Sequence, residues 1–219
     1  MVLPHIDTAG QLTELVHEVG MLPLFGCGIP GFSVMDITDP SSWWTDDPSR
    51  DPWQWRMSLA SGTDVVYSKL FHGKAGFISR ECYPDFVNFR RDGYDFDSLF
   101  EDGKAPLSSM DIMKLFLDSE EELPSYLIKK YSGLQKGFQG ALVRLQMQTY
   151  LTVCGFSRKK NKNMEEYGWH TAVLCTPEHK YGREFVRSSY KRGREQSFLD
   201  LVRKLSPYVG ADAKRLLSA

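Results

Sequence analysis

The sequence predicts an α+β protein, mainly helical, with a winged helix-turn-helix in its C-terminal half and an aromatic-rich N-terminal region that contains a β-hairpin. Two observations support this class. Residues 104–176 follow the order helix, helix, helix, strand, basic loop, strand. The preceding residues place a two-residue turn between β-branched segments, among many aromatic side chains. We therefore divide the chain into two regions. Residues 104–219 form a winged-helix domain with basic C-terminal helices. Residues 1–103 form an aromatic-rich acidic region, which is either a degenerate winged helix or an irregular region packed against that domain.

The C-terminal elements follow from hydrophobic spacing. Residues 108–121 predict a first helix with Met110, Met113 and Leu117 on one face. A short helix over 123–133 and a second over 136–146 follow, the latter with apolar residues at i, i+4 and i+7. Strands are predicted at 147–156 and 169–176, on either side of a polar loop at 157–168.

The N-terminal elements are marked by caps and turns. Residues 8–19 predict a helix capped by Asp7 or Thr8, and a loop then enters a buried strand near 32–37. A further helix opens at Pro52. Residues 63–71 and 74–81 form a hairpin around His72-Gly73, and two short helices divided by Gly93 follow.

Composition is that of a globular protein, with 42% hydrophobic and 25% charged residues. No apolar run approaches the ~20 residues of a membrane span, and the N-terminus lacks the pattern of a signal peptide. We expect a cytoplasmic protein without membrane contact.

The four cysteines, Cys27, Cys82, Cys154 and Cys175, form no C-x-x-C pair and are expected to be small buried side chains. Two of them, Cys154 and Cys175, lie on the predicted wing strands and could be cross-strand neighbours.

Charge is divided unequally along the chain. Residues 1–123 carry 9 Lys+Arg against 21 Asp+Glu, a net −12, and residues 124–219 carry 18 against 7, a net +11. A basic half can attract phosphates while the acidic half repels them, which would orient a nucleic acid on one face. Alternatively, the two halves attract each other.

A winged helix predicts how DNA would be held. Its second helix, 137–146, would enter the major groove, and the wing would follow adjacent phosphates. The candidate DNA-binding residues are the following: Lys136, Gln139, Arg144, Arg158, Lys159, Lys160 and Lys162. Double-stranded DNA is the expected partner. Four wing contacts would give a salt slope near −3.6, at ~0.9 per phosphate.

Four tryptophans lie among Asp-Pro pairs and form a candidate base or ligand pocket. They are Trp43, Trp44, Trp53 and Trp55. Such a cluster can stack a flipped base or a heterocyclic ligand, or it can pin irregular loops to a core.

Residues 136–182 resemble winged-helix segments of the AlkZ/YcaQ family of DNA glycosylases, and the whole chain is similar to short AlkZ-related proteins. The resemblance is best over 104–187. It implies tandem winged helices and excision of alkylated bases, including the unhooking of interstrand crosslinks, without a metal or other cofactor. The family signature, Gln, an apolar residue, then Gln or Asp, lies on a strand near the N-terminal winged helix. Gln146-Met147-Gln148 matches its pattern, so the resemblance implies that Gln146 and Gln148 position the attacking water.

Other functions remain open at this point. The chain could instead be a non-enzymatic transcriptional regulator, which would need a symmetric dimer, or an interaction module that binds a ligand or protein at the tryptophans.

Two local motifs also allow more than one interpretation. Glu178-His179 is either an acid-base pair or a helix start favoured by the helix dipole. The histidines lack the i, i+4 spacing of a metal site. Arg90 and Arg91 could contact phosphate, or pair with Asp92 or Asp95.

Overall fold

A computed structural model describes residues 2–117 and 121–218. The protein is α+β, with two small antiparallel sheets of three strands each and helices packed around both. Two hydrophobic clusters form its interior, a larger one around the first sheet and a smaller one around the second.

The first sheet is built from the N-terminal elements. In chain order these are α1 (Ala9–Val19), β1 (Met21–Pro23), α2 (Pro52–Ser61), β2 (Val65–Phe71) and β3 (Lys74–Ser79). Strand β1 pairs with β3, which also pairs with β2, so the strand order is β1-β3-β2.

Local signals explain where these elements begin. Thr8 accepts a hydrogen bond from the backbone of Gln11, whose side chain bonds back, so α1 starts with a full capping box. Asp51 caps α2 ahead of Pro52. His72 and Gly73 both have positive φ, 50° and 78°, as the tight turn of a two-residue hairpin requires. The predictions of both helices and of the hairpin are therefore confirmed.

The second sheet begins after three helices, and two more lie between its first strand and its hairpin. In chain order these elements are α3 (Tyr83–Arg91), α4 (Phe96–Glu101), α5 (Leu107–Met113), β4 (Leu123–Pro124), α6 (Ser125–Tyr131), α7 (Phe138–Met147), β5 (Thr152–Lys160) and β6 (Glu166–Cys175). Strand β6 pairs with both β4 and β5, so the order is β4-β6-β5. Each sheet thus joins a short early strand to the last strand of a later hairpin.

The chain ends in four helices, α8 (Pro177–Tyr181), α9 (Arg183–Val186), α10 (Arg194–Val209) and α11 (Asp212–Leu217). Leu201, Leu205 and Leu216 from the last two helices are buried in the first hydrophobic cluster. The C-terminal helices therefore fold back onto the N-terminal sheet. In none of the described ranges, 2–117 and 121–218, is a helix long and apolar enough to cross a membrane.

Three predicted elements differ from the structure. The strand expected near 32–37 is a 3₁₀ turn at Met35–Ile37, and the early strand is β1, because pairing with the distant β3 selects it. The helix expected over 108–121 ends at Met113, and residues 118–120 lie outside the described ranges. The polar loop expected over 157–168 is reduced to 161–165, since β5 and β6 keep pairing as far as Lys160 and Glu166.

Candidate nucleic-acid interface

Helix α7 lines two concave surfaces. Phe138, Leu142 and Leu145 bury one face of the helix in the second hydrophobic cluster. The opposite face, with Gln139 and Arg144, is exposed. Gly137 begins the helix with a left-handed φ of 73°, which glycine adopts without strain. The helix predicted to contact DNA therefore presents its polar face to open space.

The larger surface is a cavity of about 930 Å³, which we call the basic cleft. Its charged lining residues are all cationic: Lys69, Arg90, Arg144 and Arg194. Two of the four come from the acidic half of the sequence and two from the basic half. The cleft therefore arises from folding, which gathers cations 125 positions apart in the chain into a single surface.

Arg90 is the most unusual of these cations. Its guanidinium packs on Phe86 and Phe89, with ring-centre distances of 4.9 and 5.4 Å, and its Nε is buried without a hydrogen-bond partner. Burial and the neighbouring Arg194 lower the pKa of Arg90 to about 10. The side chain remains protonated at neutral pH. An anion in the cleft would offset both the cost of burying the Arg90 charge and the repulsion from Arg194.

One interpretation of the sequence is that Arg90 and Arg91 pair with Asp92 or Asp95, and the structure does not show these pairs. Arg90 donates to the carbonyl of Leu70, and Arg91 pairs with Glu178. Arg194, in contrast, lies 3.6 Å from Asp92.

The smaller surface, which we call the aromatic pocket, has a volume of about 260 Å³. Trp53, Tyr67 and Phe156 line it, along with His170 and Gln146. It shares three lining residues with the basic cleft, namely Lys69, Gln139 and Val143. The two cavities are therefore adjacent along the exposed face of α7.

Arg56 forms part of the pocket wall. Its guanidinium carbon lies 3.6 Å from the ring centre of Trp53 and 4.4 Å from that of Phe156. Burial lowers the pKa of this arginine, and its Nε is buried without a partner. The pocket thus combines flat apolar surfaces with a hydrogen-bond donor that no described residue satisfies.

The two candidate catalytic glutamines have different environments. The amide of Gln146 is buried and bonded at both its oxygen and its nitrogen: its Oε1 accepts from Ser68 Oγ (3.0 Å) and from the backbone NH of Lys69 (3.3 Å), and its Nε2 donates to the carbonyl of Leu142. Gln148 lines the basic cleft, and its Oε1 is buried without a partner. Both residues lie at the end of α7 and not on a strand. Of the two amides, only that of Gln148 has an oxygen without a hydrogen-bond partner among the described residues.

The predicted tryptophans separate into structural and surface residues. Trp43 and Trp55 are buried, with each Nε1 donating 2.9 Å hydrogen bonds, to Thr38 Oγ1 and to the carbonyl of Ser49. Trp53 lines the aromatic pocket. Trp44 is 64% exposed, and its ring centre lies 6.5 Å from that of Trp53.

The wing cations lie on the β5–β6 hairpin and its turn. Arg158 donates to the carbonyl of Gly168 (2.8 Å), and the ammonium of Lys159 lies 5.5 Å from the ring centre of Tyr126. Within residues 2–117 and 121–218, Arg158, Lys159, Lys160 and Lys162 make no ion pair. Lys136 is exposed just before α7. The cations around 187–194 differ, because several of them pair with acids of the N-terminal half.

A buried ion pair that the sequence analysis did not predict fixes the end of α7. Arg91 pairs with Glu178 and also donates to the carbonyl and hydroxyl of Thr149, the residue after Gln148. Burial opposes charge on Glu178, but Arg91 outweighs it and lowers the pKa of that carboxyl. Glu178 therefore pairs with Arg91 and also lies 3.7 Å from Arg187, while His179 contacts Glu122, so the two side chains have separate partners.

A family model described as AlkZ related matches residues 6–218. The chain belongs to the AlkZ-related family. The match spans both sheets, the basic cleft and the aromatic pocket, so the AlkZ-related assignment applies to the whole fold and not to one unit. No curated protein and no solved structure matches the chain.

Proposed function

We propose that this AlkZ-related protein binds double-stranded DNA, with the phosphate backbone in the basic cleft and one unstacked base in the aromatic pocket. The observation that carries the proposal is the adjacency of the two cavities across Lys69, Gln139 and Val143. A cationic groove beside an aromatic cavity matches the two chemical parts of a nucleotide.

In this proposal, each sheet and the helices beside it form one winged-helix unit. In both, a short strand, helices and a hairpin follow in order, and the short strand pairs with the last strand of the hairpin. In the second unit, α7 would enter the major groove and the β5–β6 wing would follow the backbone. The exposure of Gln139 and Arg144 and the unpaired wing cations support this placement.

The size of the pocket favours a single heterocycle. At about 260 Å³ it lies below the roughly 300–1,000 Å³ of pockets for drug-sized ligands. Trp53, Tyr67 and Phe156 supply stacking surfaces, and the amide of Gln139 and the imidazole of His170 supply polar edges. The amide of Gln146 is already used by Ser68 and Lys69, so we assign it to structure.

Removal of one cleft cation tests the DNA interface. Arg144 makes no ion pair with the described residues, whereas Arg203 is similarly exposed on α10, beside Asp200. We expect Arg144→Ala to reduce the salt slope of duplex binding by roughly 0.9 and Arg203→Ala to leave it unchanged. The measurement is fluorescence anisotropy with a labelled duplex across a salt series. Equal slopes in the two variants would remove Arg144 from the interface.

A pocket-filling variant tests the base site separately. Ala75 lines the aromatic pocket but not the cleft. Ala75→Leu should keep binding to an intact duplex and lose any preference for a duplex with an unpaired or alkylated base. A preference that survives the substitution would place the base elsewhere.

One observation favours a second function, release of the base. The buried, unpartnered Oε1 of Gln148 can accept a hydrogen bond from a water in the cleft. That water would bond to the anomeric carbon as the bond from this carbon to the base nitrogen breaks, and the base would leave as the water loses a proton. The described residues that line the two cavities include no carboxylate. We therefore expect activity on cationic alkylated bases, which leave readily, and not on normal ones.

The test is release of free base from an alkylated duplex. Gln148→Ala should abolish release while the protein still binds the duplex, and Gln148→Glu should restore part of it. Release unchanged in Gln148→Ala would contradict the assignment. An inactive wild-type protein that still binds DNA would leave the binding function without the hydrolysis.

A further inference from the structure

Two cysteines and a glutamate meet at the base of the β5–β6 hairpin. A sulfur of Cys154, a sulfur of Cys175 and a carboxylate oxygen of Glu122 all lie within 4.8 Å of one another. Cys175 is fully buried, Cys154 is half-buried and Glu122 is exposed. From this arrangement we propose that the three side chains, with His179, bind a zinc ion.

The strand register brings the sulfurs together. Cys175 pairs with Thr152, and the pairing shifts by one residue between Val153 and Gly155, so Cys154 is the bulged residue of β5. Bulges re-aim a side chain locally. Both cysteines are free, and the Cys154 thiol donates a hydrogen bond to the carbonyl of Val173 (3.4 Å). The contact with Cys154, with burial, raises the pKa of Cys175. The sequence analysis expected possible cross-strand neighbours at these positions, and the structure places their sulfurs side by side.

His179 supplies a fourth donor. Its Nε2 lies 3.2 Å from Glu122 Oε1, and it follows Pro177 in the short helix after β6. Metal–ligand bonds of about 2.0–2.3 Å place the donors of a tetrahedron roughly 3.3–3.8 Å apart. Glu122, Cys154 and Cys175 already lie within 4.8 Å of one another, whereas the imidazole of His179, which contacts only Glu122 of the three, would have to move toward the sulfurs to complete the tetrahedron.

The local charge balance also suits a divalent ion. Two thiolates and a carboxylate carry three negative charges, which a divalent ion and the neighbouring ammonium of Lys180 balance. Lys180 is held by the carbonyls of Ala60 and Val153 and interacts electrostatically with Cys154, Cys175 and Glu122. Sulfur and imidazole donors favour zinc over magnesium or calcium, which prefer oxygen.

Such an ion would link three separate parts of the chain. Glu122 precedes β4, the two cysteines lie on β5 and β6, and His179 lies in α8. The site is outside the basic cleft and the aromatic pocket, since none of the four residues lines either cavity. Zinc would therefore stabilise the root of the wing and take no part in base release.

Cobalt substitution tests the site directly. Reduced full-length protein is titrated with Co²⁺, and the sulfur-to-cobalt charge-transfer band is recorded in the near ultraviolet. We expect a band typical of two thiolates, lost in Cys154→Ser and in Cys175→Ala and retained in the control Cys27→Ser. Glu122→Gln should keep a sulfur band and weaken zinc binding by at least about tenfold, measured by competition with a chromophoric chelator.

A second measurement guards against misfolding of the cysteine variants. Zinc should raise the melting temperature of wild-type and Cys27→Ser protein but not of a Cys154→Ser protein with a native circular dichroism spectrum. The proposal is overturned if excess cobalt gives no charge-transfer band in the reduced wild type, if the band persists in Cys154→Ser, or if oxidation to a disulfide is the sole reaction of the pair.

Discussion

The two β-hairpins occupy equivalent places in sheets of the same strand order, yet they differ in what covers them. Nearly every residue of Val65–Phe71 in the first hairpin is buried. In the second, burial is confined to the ends of β5 and β6 nearest the helices, and the other ends extend into solvent with their cations. One topology thus yields a core element in one unit and an exposed basic arm in the other. The difference depends on the helices packed over each hairpin.

Truncation of one large side chain in each hairpin should reveal this contrast most strongly. Phe77 of β3 is fully buried, whereas Trp169 of β6 is 89% exposed. We expect Phe77→Ala to lower the free energy of unfolding by roughly 3–5 kcal/mol and Trp169→Ala to change it by less than about 0.5 kcal/mol. Urea unfolding followed by circular dichroism measures both. Similar losses would mean that the second hairpin is also part of the core.

The ion pair between Arg91 of α3 and Glu178 of α8 should give the next largest effect. The side chain of Arg91 is 2% exposed, and its loss leaves the part-buried carboxylate of Glu178 with only the longer 3.7 Å contact to Arg187 among the described residues. We expect Arg91→Ala to cost at least roughly 3 kcal/mol at pH 7.

The pH dependence of this effect has a defined sign. Arg91 lowers the pKa of Glu178, so its stabilisation is complete above the ordinary glutamate value of about 4.3 and is lost as pH falls through the lower folded value. The difference between wild type and Arg91→Ala should therefore shrink below about pH 4. A difference that stays constant between pH 7 and pH 3 would contradict this account of the pair.

A smaller effect is expected where the first hairpin meets α7. Ser68 Oγ donates to Gln146, so Ser68→Ala leaves a buried acceptor with one fewer donor. We expect a loss of about 1 kcal/mol, against no measurable change for the exposed Ser188→Ala. An unchanged free energy of unfolding in Ser68→Ala would contradict a stabilising role for this bond to Gln146.

Local chemistry explains which parts of the fold the sequence predicts. Thr8, Asp51 and His72-Gly73 specify caps and a turn within a few residues, so their elements follow from the chain alone. Strand β1 has no such signal, because its three residues become a strand only by pairing with β3, more than 50 positions later. The return of α10 and α11 to the first cluster is equally non-local.

The residues of the candidate site also fall into two groups, those indicated by local spacing and those brought in only by tertiary packing. Gln139 and Arg144, predicted to contact DNA, are exposed on α7, because helical spacing separates them from the buried face. Their contact with DNA stays a prediction. Lys69, Arg90 and Arg194 join them only through tertiary packing. The charge imbalance between the halves also does not indicate the cleft, since two of its cations come from the acidic half. Whether Gln146 and Gln148 are catalytic stays a prediction.

The most direct test of DNA binding through the exposed arm is a salt series with a fluorescent duplex, comparing wild type with a variant in which Arg158, Lys159, Lys160 and Lys162 are all changed to Ala. None of the four makes an ion pair within the described ranges, so the free energy of unfolding should change by less than about 0.5 kcal/mol. We predict steep salt dependence in the wild type and a slope lower by up to about 3.6 in the variant. Absence of binding at low salt, or identical slopes in the two proteins, would contradict the proposed interface.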